Sequence, residues 1–324
     1  MKSPVHLNAL RAFEASARHQ SFSGAATELH VTPAAVGQLV RTLEDWLGTL
    51  LFVRATRGRT RLVPTEAAQR ALSDIRAGFD KLALGLEQLR DGAGKGVLTV
   101  TVSPAFAAKW LLPRIDEFQA TWPDLDLRLN TNLKPIDFVE HKIDVGVRYG
   151  TGAWPGLHAE KLMDEEVYPV CSAQFLSLFG PLQTPSDLGR ATLIHDLSME
   201  GHADFPSWSK WIAKAGAAVV VVSRGLRINS SAAVLQAAIE GYGVALARSV
   251  MAHDDVASGC LIRLFPEVSF ASPLGYYFVY RKECSGVAKL AAFRDWMFAQ
   301  ARRSSSGQRV TDLIGGTATH CSAD

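Results

Sequence analysis

From residue 65 to residue 90 the chain runs without a proline, and Leu72, Ile75, Phe79, Leu82, Leu86 and Leu89 recur at alternating spacings of three and four. That is a heptad seam, and it commits the segment to one long helix with a narrow apolar stripe. A stripe this narrow suits pairing with another helix, which makes these six residues the candidate dimerisation set. The plainer alternative is a helix lying along its own domain. Either way the helix divides the chain into unlike parts, residues 1–64 before it and 97–301 after it. Asp91-Gly92-Ala93-Gly94-Lys95-Gly96 follows the helix and reads as a hinge, 91–96.

The part before the helix is basic. Residues 1–64 hold eight Lys/Arg against four Asp/Glu, while the whole chain of 324 residues carries only +2, so the remainder is slightly acidic. Within it, Ser21 to Gly48 shows small and apolar residues at helical spacing, broken once at His30-Val31-Thr32-Pro33. A short helix, a tight turn and a longer helix make a helix-turn-helix. Ser23 is placed to cap the first helix, and Ala25, Ala26 and Leu29 form its inner face. Thr32 caps the second, with Pro33 at the first helical position, where its missing N–H costs nothing. Val36, Val40 and Leu43 then face inward. Thr32, Ala34, Ala35, Gly37, Gln38 and Arg41 are left for a DNA major groove. Next, Leu51 to Val63 reads as two short arms around Gly58, with Arg54, Arg57, Arg59 and Arg61. Such a hairpin is a wing laid on phosphates, each neutralised phosphate adding about −0.9 to the salt slope. A basic solvated loop is the alternative for the wing alone; the two features together favour DNA.

Beyond the hinge, β-rich runs alternate with helical ones. Strand-like segments at 97–102, 125–129 and 143–148 are separated by helical stretches, which implies right-handed crossovers and a mainly parallel sheet. A second set follows, with Val167–Val170, Ala191–Ile194 and Val219–Val222 as strands and a helix from Ser231 to Glu240. Two α/β lobes fit this order: lobe 1 about 97–166 and 270–301, lobe 2 about 167–269. A small ligand would sit in the cleft between them. Ser103 ends the first strand at a helix N-terminus, followed by Pro104, Ala105 and Phe106. Asn229, Ser230 and Ser231 precede another helix. Free N–H groups at such termini favour an anion, although simple capping explains the serines equally well. Arg148 and Tyr149 end a strand at the cleft edge, and Asn130 ends the one before it. Residues 302–324, rich in Ser, Gly and Thr, read as a disordered tail.

Other classes fare poorly. Cys171, Cys260, Cys284 and Cys321 are scattered and form no C-x-x-C pair, so neither zinc nor a disulfide framework is expected. No metal, cofactor or catalytic residue is expected: G-x-S-x-G, H-E-x-x-H, the P-loop and a strand-linked G-x-G-x-x-G are all missing. His195-Asp196 has nothing beside it to complete an acid–base site. Neither a secretory leader nor an 18-residue apolar run is found, which points to a cytoplasmic protein with no membrane partner. A solute-binding module would look alike from residue 97 onward, but not with a basic N-terminal unit.

Leu7-Asn8-Ala9-Leu10-Arg11-Ala12-Phe13, Ser21-Phe22-Ser23-Gly24-Ala25-Ala26, Arg41-x-Leu43-Glu44, Leu47-Gly48 and Leu51-Phe52-x-Arg54 resemble the LysR-type transcriptional regulators. Arg148-Tyr149-Gly150-x-Gly152-x-Trp154-Pro155-Gly156-Leu157 and Pro169-Val170-Cys171-Ser172 are similar to the branch of glycine-cleavage activators and β-lactamase regulators. The resemblance implies a multidomain fold: a winged helix-turn-helix (1–64), a linker helix (65–90) and a two-lobed α/β, periplasmic-binding-protein-like effector domain (97–301). It implies double-stranded promoter DNA, a small effector, a dimer and then a tetramer, and RNA polymerase as partners. Three positions depart from the family pattern. Gly37 stands where a Ser is usual, Leu39 where Gln or His is usual, and Ala105 where close relatives tend to carry Ser or Thr. These departures bear on which operator and which effector are read.

Overall fold

The computed structural model describes residues 6–54, 62–90, 96–134, 136–201, 204–205, 207–217 and 224–311. The chain forms two compact units, Met1–Arg90 and Asp91–Asp324.

The first unit holds α1 (Leu7–His19), α2 (Phe22–Leu29), α3 (Pro33–Leu47), β1 (Phe52–Arg54), β2 (Leu62–Pro64) and α4 (Glu66–Arg90). Ser21, not Ser23, caps α2, accepting from Gly24 N at 3.3 Å, because the helix begins two residues earlier than the spacing indicates. Gly24 lies where α1 and α2 cross; a Cβ there would meet Cβ of His19 at 2.9 Å. Ala9, Ala12, Phe13, Ala25, Ala26, Val36, Val40 and Leu43 fill the core. Its small residues let three helices approach closely. β1 and β2 pair antiparallel, Val53 opposite Val63. The turn with Arg57, Arg59 and Arg61 lies outside the described residues, as does the Arg54 side chain.

The heptad seam on α4 is divided. Leu72 is buried in the core of its own unit and Ile75 packs against it, so the plainer reading holds for the first turns. Phe79 is half-buried, while Leu82 and Leu86 are 51% and 63% exposed. The side chain of Leu89 is outside the described residues. Only the C-terminal part of the stripe is left for another partner.

The second unit contains β3 (Gly96–Val102), α5 (Pro104–Phe106), α6 (Ile115–Thr121), β4 (Leu125–Thr131), β5 (Val145–Gly150), β6 (Leu157–Met163), β7 (Val167–Cys171), α7 (Ala173–Phe179), β8 (Leu193–Asp196), α8 (Trp208–Lys214), β9 (Leu226–Ile228), α9 (Ser231–Ile239), β10 (Val244–Arg248), α10 (Ser249–Ala257), β11 (Ile262–Arg263), β12 (Gly275–Arg281) and α11 (Ala288–Thr311). One sheet has the order β4-β3-β5-β12-β6, the other β11-β7-β10-β8-β9. The sheets are mixed rather than mainly parallel. β3 pairs parallel with β4 and β5, and β8 with β9 and β10. β12 and β7 run antiparallel to their neighbours. The chain crosses between sheets twice, once between β6 and β7 and once between β11 and β12, and each returning strand enters its sheet reversed.

The helix expected after β3 is segmented. Between α5 and α6 lie a π-helical turn, Ala107–Leu111, and a 3-10 turn, Leu112–Arg114, where Pro113 can donate no hydrogen bond. The apolar run Val219–Val222 is outside the described residues. The expected disordered tail, 302–324, is helical as far as Thr311, where α11 ends, and residues 312–324 lie outside the described residues. Arg303 donates to both carboxylate oxygens of Glu117 at 2.8 and 2.9 Å, and Gln300 donates to one at 2.7 Å, holding the helix on α6.

Candidate functional site

On α3 the cap forms as the sequence indicates. Thr32 Oγ1 accepts from Ala35 N at 3.2 Å and Pro33 opens the helix. This fixes the N-terminal end of α3 at the surface. Thr32, Ala34, Gln38 and Arg41 are exposed, and Ala35 is half-buried. Arg41 donates to the Gln38 side chain at 3.1 Å, so the two amide- and guanidinium-bearing groups stand side by side on one face. Gly37 does not belong to that face. It is buried, and a Cβ there would sit between Nη1 of Arg41, at 3.9 Å, and the Phe22 ring of α2, at 4.0 Å. The helix turns this position towards α2, one turn after Pro33.

Away from that face the unit's charges pair with each other. Glu28 accepts from Arg18 at 2.7 Å and lies 2.6 Å from the His19 ring. Glu14 joins Arg18 and Arg76, tying α1 to α4. The Arg18 hydrogen bond holds the Glu28 carboxyl down to about 2.

In the second unit, several expected ligand residues are in contact with the chain itself. Ser103 Oγ accepts from Phe106 N at 3.3 Å, closing α5. Phe106 is fully buried, its ring stacked on Trp110 and tilted against Tyr276, so it offers no face to a ligand. Ala105 packs into the other sheet's core with Val234, Leu235 and Tyr168, and joins the two lobes instead of lining a pocket. Arg148 is half-buried and donates to Asn132 O at 3.1 Å and Thr101 Oγ1 at 3.0 Å, with burial pulling its pKa down. Asn130 pairs in register with Thr101. Asn229 is exposed and Ser230 caps α9, accepting from Ala233 N at 3.4 Å.

Tyr149 and Ser231 are drawn into a polar network that joins the lobes. The Tyr149 hydroxyl lies 3.0 Å from Ser272 Oγ, and the Arg248 guanidinium sits 4.8 Å over its ring. Burial pushes the Tyr149 phenol up to about 12. Arg248 donates to Ser231 Oγ at 2.9 Å, and Ser231 donates to Asp196 at 2.5 Å. Asp196 also accepts from the hydroxyl and the N–H of Ser198. Glu165 accepts from Ser249 Oγ at 2.6 Å and Val250 N at 3.0 Å, and burial raises its pKa. On the outer side, Lys109 reaches Asp255 at 2.9 Å and Arg114 grips Asp254 through two bonds at 2.6 and 2.7 Å, clamping the π-turn to α10.

Known proteins share this organisation. Residues 7–69 match the bacterial regulatory helix-turn-helix protein, lysR family, and residues 91–302 match the LysR substrate binding domain. The glycine cleavage system transcriptional activator of Escherichia coli is 41% identical over 295 residues, covering 91% of this chain and 93% of that protein. The chain belongs to the LysR family of transcriptional regulators. The HTH-type transcriptional activator AmpR of Pseudomonas aeruginosa is 38% identical over 305 residues, covering 93% of this chain and 98% of AmpR. Its effector domain matches with a TM-score of 0.54 at 30% identity, over 66% of this chain and all (100%) of that one. The full-length fold is that of CrgA, a LysR-type regulator from Neisseria meningitidis, at a TM-score of 0.53 and 21% identity, covering 93% of this chain and 99% of CrgA.

This LysR-type regulator therefore carries a DNA-binding helix-turn-helix and an effector-binding domain. Among its described residues no cluster of His, Cys, Asp or Glu could hold a metal ion, and no helix is long and apolar enough to cross a membrane. His195 lies 3.0 Å from Arg224 O. The reading of the sequence did not single out Glu165, Arg248 or Tyr276 for this network, and considered Asp196 only as a partner of His195. Arg248 did leave a signal, since it ends the apolar strand Val244-Ala245-Leu246-Ala247 with a charge, which a buried strand tolerates only where a partner waits.

Proposed function

We propose that this regulator binds promoter DNA through α3 and controls transcription in response to a small, anionic effector held between its two lobes. The observation that carries the DNA half is the capped, exposed N-terminal face of α3, with Gln38 and Arg41 adjacent. Ala34, Gln38 and Arg41 read bases, with Thr32 and Ala35 at the rim. Arg54, Arg57, Arg59 and Arg61 neutralise phosphates beside the groove. Gly37, being buried, affects base reading only through helix stability. The relatives are named activators, and activation is the direction proposed, with RNA polymerase as the partner recruited.

The effector half rests on Ser231 at the start of α9, on Arg148 at the end of β5, and on the interlobe network around Tyr149. Ser103, Asn130, Asn229 and Ser230 line its approaches. The exposed part of the α4 stripe, Leu82 and Leu86, supports a dimer through the set Leu72 to Leu89, and pairing of the α/β units would complete a tetramer in the cytoplasm.

Genome fragments retained by the purified full-length protein and then sequenced test this reading. Enrichment of an upstream region containing a two-fold symmetric site is expected. Retention no better than that of random fragments, with and without cell extract metabolites, would refute it.

A further inference from the structure

One carboxylate on α1 gathers three helices of the DNA-binding unit. Glu14 Oε1 accepts from Nε of Arg76, on α4, at 3.0 Å, and the two Glu14 oxygens accept from Nε and Nη2 of Arg18, each at 3.3 Å. Arg18 Nη2 also donates to Glu28, near the end of α2, at 2.7 Å, and Glu28 lies 2.6 Å from the His19 ring. The row Arg76–Glu14–Arg18–Glu28 therefore runs from α4 across α1 to α2, the helix that leads into the Thr32 turn and α3. Its members differ in exposure. The Glu14 side chain is 14% exposed, whereas those of Arg18, Glu28 and Arg76 are at 43%, 38% and 47%.

Ion pairs with partners in water add little stability. What this row adds is direction. Leu72, buried in the core, and Ile75, packed against it, anchor α4 to its own unit. Apolar contact of that kind is non-directional and fixes the depth of a helix better than its angle. Arg76 follows Ile75, and its N–H donors hold a carboxylate only over a narrow range of angles. Further along, the stripe turns to solvent at Leu82 and Leu86. The Glu14 bond thus grips α4 close to where the helix leaves the unit, and a small change there is magnified. From Arg76 to Arg90, the end of α4, the helix runs about 21 Å at about 1.5 Å per residue. A tilt of about 10° moves that end by roughly 3.6 Å, close to the ~3.4 Å of one base-pair step.

We propose that Glu14 and Arg76 are positioning residues for DNA recognition: their ion pair sets the angle between α4 and the helix-turn-helix, and with it the half-site spacing that a dimer accepts. The proposal rests on the pairing of two copies through α4. Both residues act on DNA through the placing of α3, and Arg18 with Glu28 braces Glu14 from the side of α2.

Fluorescence anisotropy of the full-length protein tests this on three probes: the operator retrieved from genome fragments, the same operator with its half-sites moved one or two base pairs together or apart, and one half-site alone. Wild type should bind the native spacing about tenfold or more tighter than the shifted ones, because both halves engage at once only there. Arg76→Met and Glu14→Gln should each cut that preference to about threefold or less, with single half-site binding within about twofold of wild type. Arg76→Lys, which keeps a cation within reach of Glu14, should restore most of the preference. Circular dichroism and sedimentation of each variant accompany the titrations. Should Glu14→Gln fail to fold, the exposed Arg76 and its two variants carry the test. Variants that keep the wild-type preference would overturn the proposal. So would an equal loss on the single half-site, the mark of a merely structural role. A wild type that sediments as a monomer would overturn the dimer reading and the proposal with it. A dimeric wild type indifferent to spacing would overturn the proposal alone.

Discussion

Glu28 and Glu165 are both carboxylates near an arginine, and they sit in opposite surroundings. Glu28 lies at the surface of the helical unit with both oxygens met, by Arg18 and His19. Glu165 is buried between the lobes, one oxygen held by Ser249 and Val250 and the Tyr276 hydroxyl beside its carboxyl. The first is held down to about 2 by its arginine; the second is pushed up by burial. The contrast extends to the regions around them. The helical unit keeps an apolar, small-residue core and pairs its charges outside, which presents α3 rigidly to a partner. The interlobe crossing keeps charge inside, Arg248 and Glu165 both buried and Arg248 tied through Ser231 to Asp196, so each buried charge depends on its neighbours staying in place.

The largest effect that sharpens this contrast comes from Arg248→Met. It leaves Glu165 and Asp196 without their buried cation and should destabilise the α/β unit by about 3–5 kcal/mol. Calorimetry of the full chain should show that unit's transition falling while the helical unit's stays in place. An equal fall in both would break the comparison. Thr32→Ala removes the cap of α3 and should cost the helical unit about 1 kcal/mol in chemical denaturation. Gly37→Ala should act oppositely, adding up to about 1 kcal/mol, because the nearest atoms to a new Cβ are 3.9 and 4.0 Å away. Operator affinity of Gly37→Ala should stay near wild type, since the position is buried and a new Cβ would make only ordinary contact with Arg41 and Phe22. A marked loss would return Gly37 to the DNA face. The smallest effect is that of pH on Glu28. Its folded pKa lies below the ordinary 4.5, so the stability it adds is present above 4.5 and fades as pH falls towards about 2. Glu28→Gln should flatten that part of the stability profile for the helical unit.

The helical unit was the more legible in sequence, because its signals are local. The Thr32-Pro33 start, the inward Val36, Val40 and Leu43, and the small residues of α2 all act within a few residues of one another. Gly37 was misread because helical spacing alone does not say how α2 crosses α3. In the α/β unit the alternation of strands and helices was readable, but strand direction was not, since β12 joins the first sheet only after the chain has built the second. Strand β6 and the short strands β9 and β11 lack the apolar runs that mark strands. The interlobe cluster was the least legible. Glu165, Arg248 and Tyr276 are far apart in the chain, and nothing local distinguishes Glu165 from the exposed acids around it. Phe106 and Ala105 were placed in a pocket by their position after β3, whereas packing against Trp110, Tyr276 and Val234 claims them for the core.

The most direct test is a fluorescence anisotropy titration of the retrieved operator with the wild type, Arg41→Ala and Arg248→Gln, without added effector. If α3 reads DNA and the interlobe crossing reads ligand, Arg41→Ala should weaken binding by about tenfold or more, and a folded Arg248→Gln should stay within about threefold of wild type. Undiminished binding by Arg41→Ala, or a loss of that size in Arg248→Gln, would contradict the division of labour between the two regions.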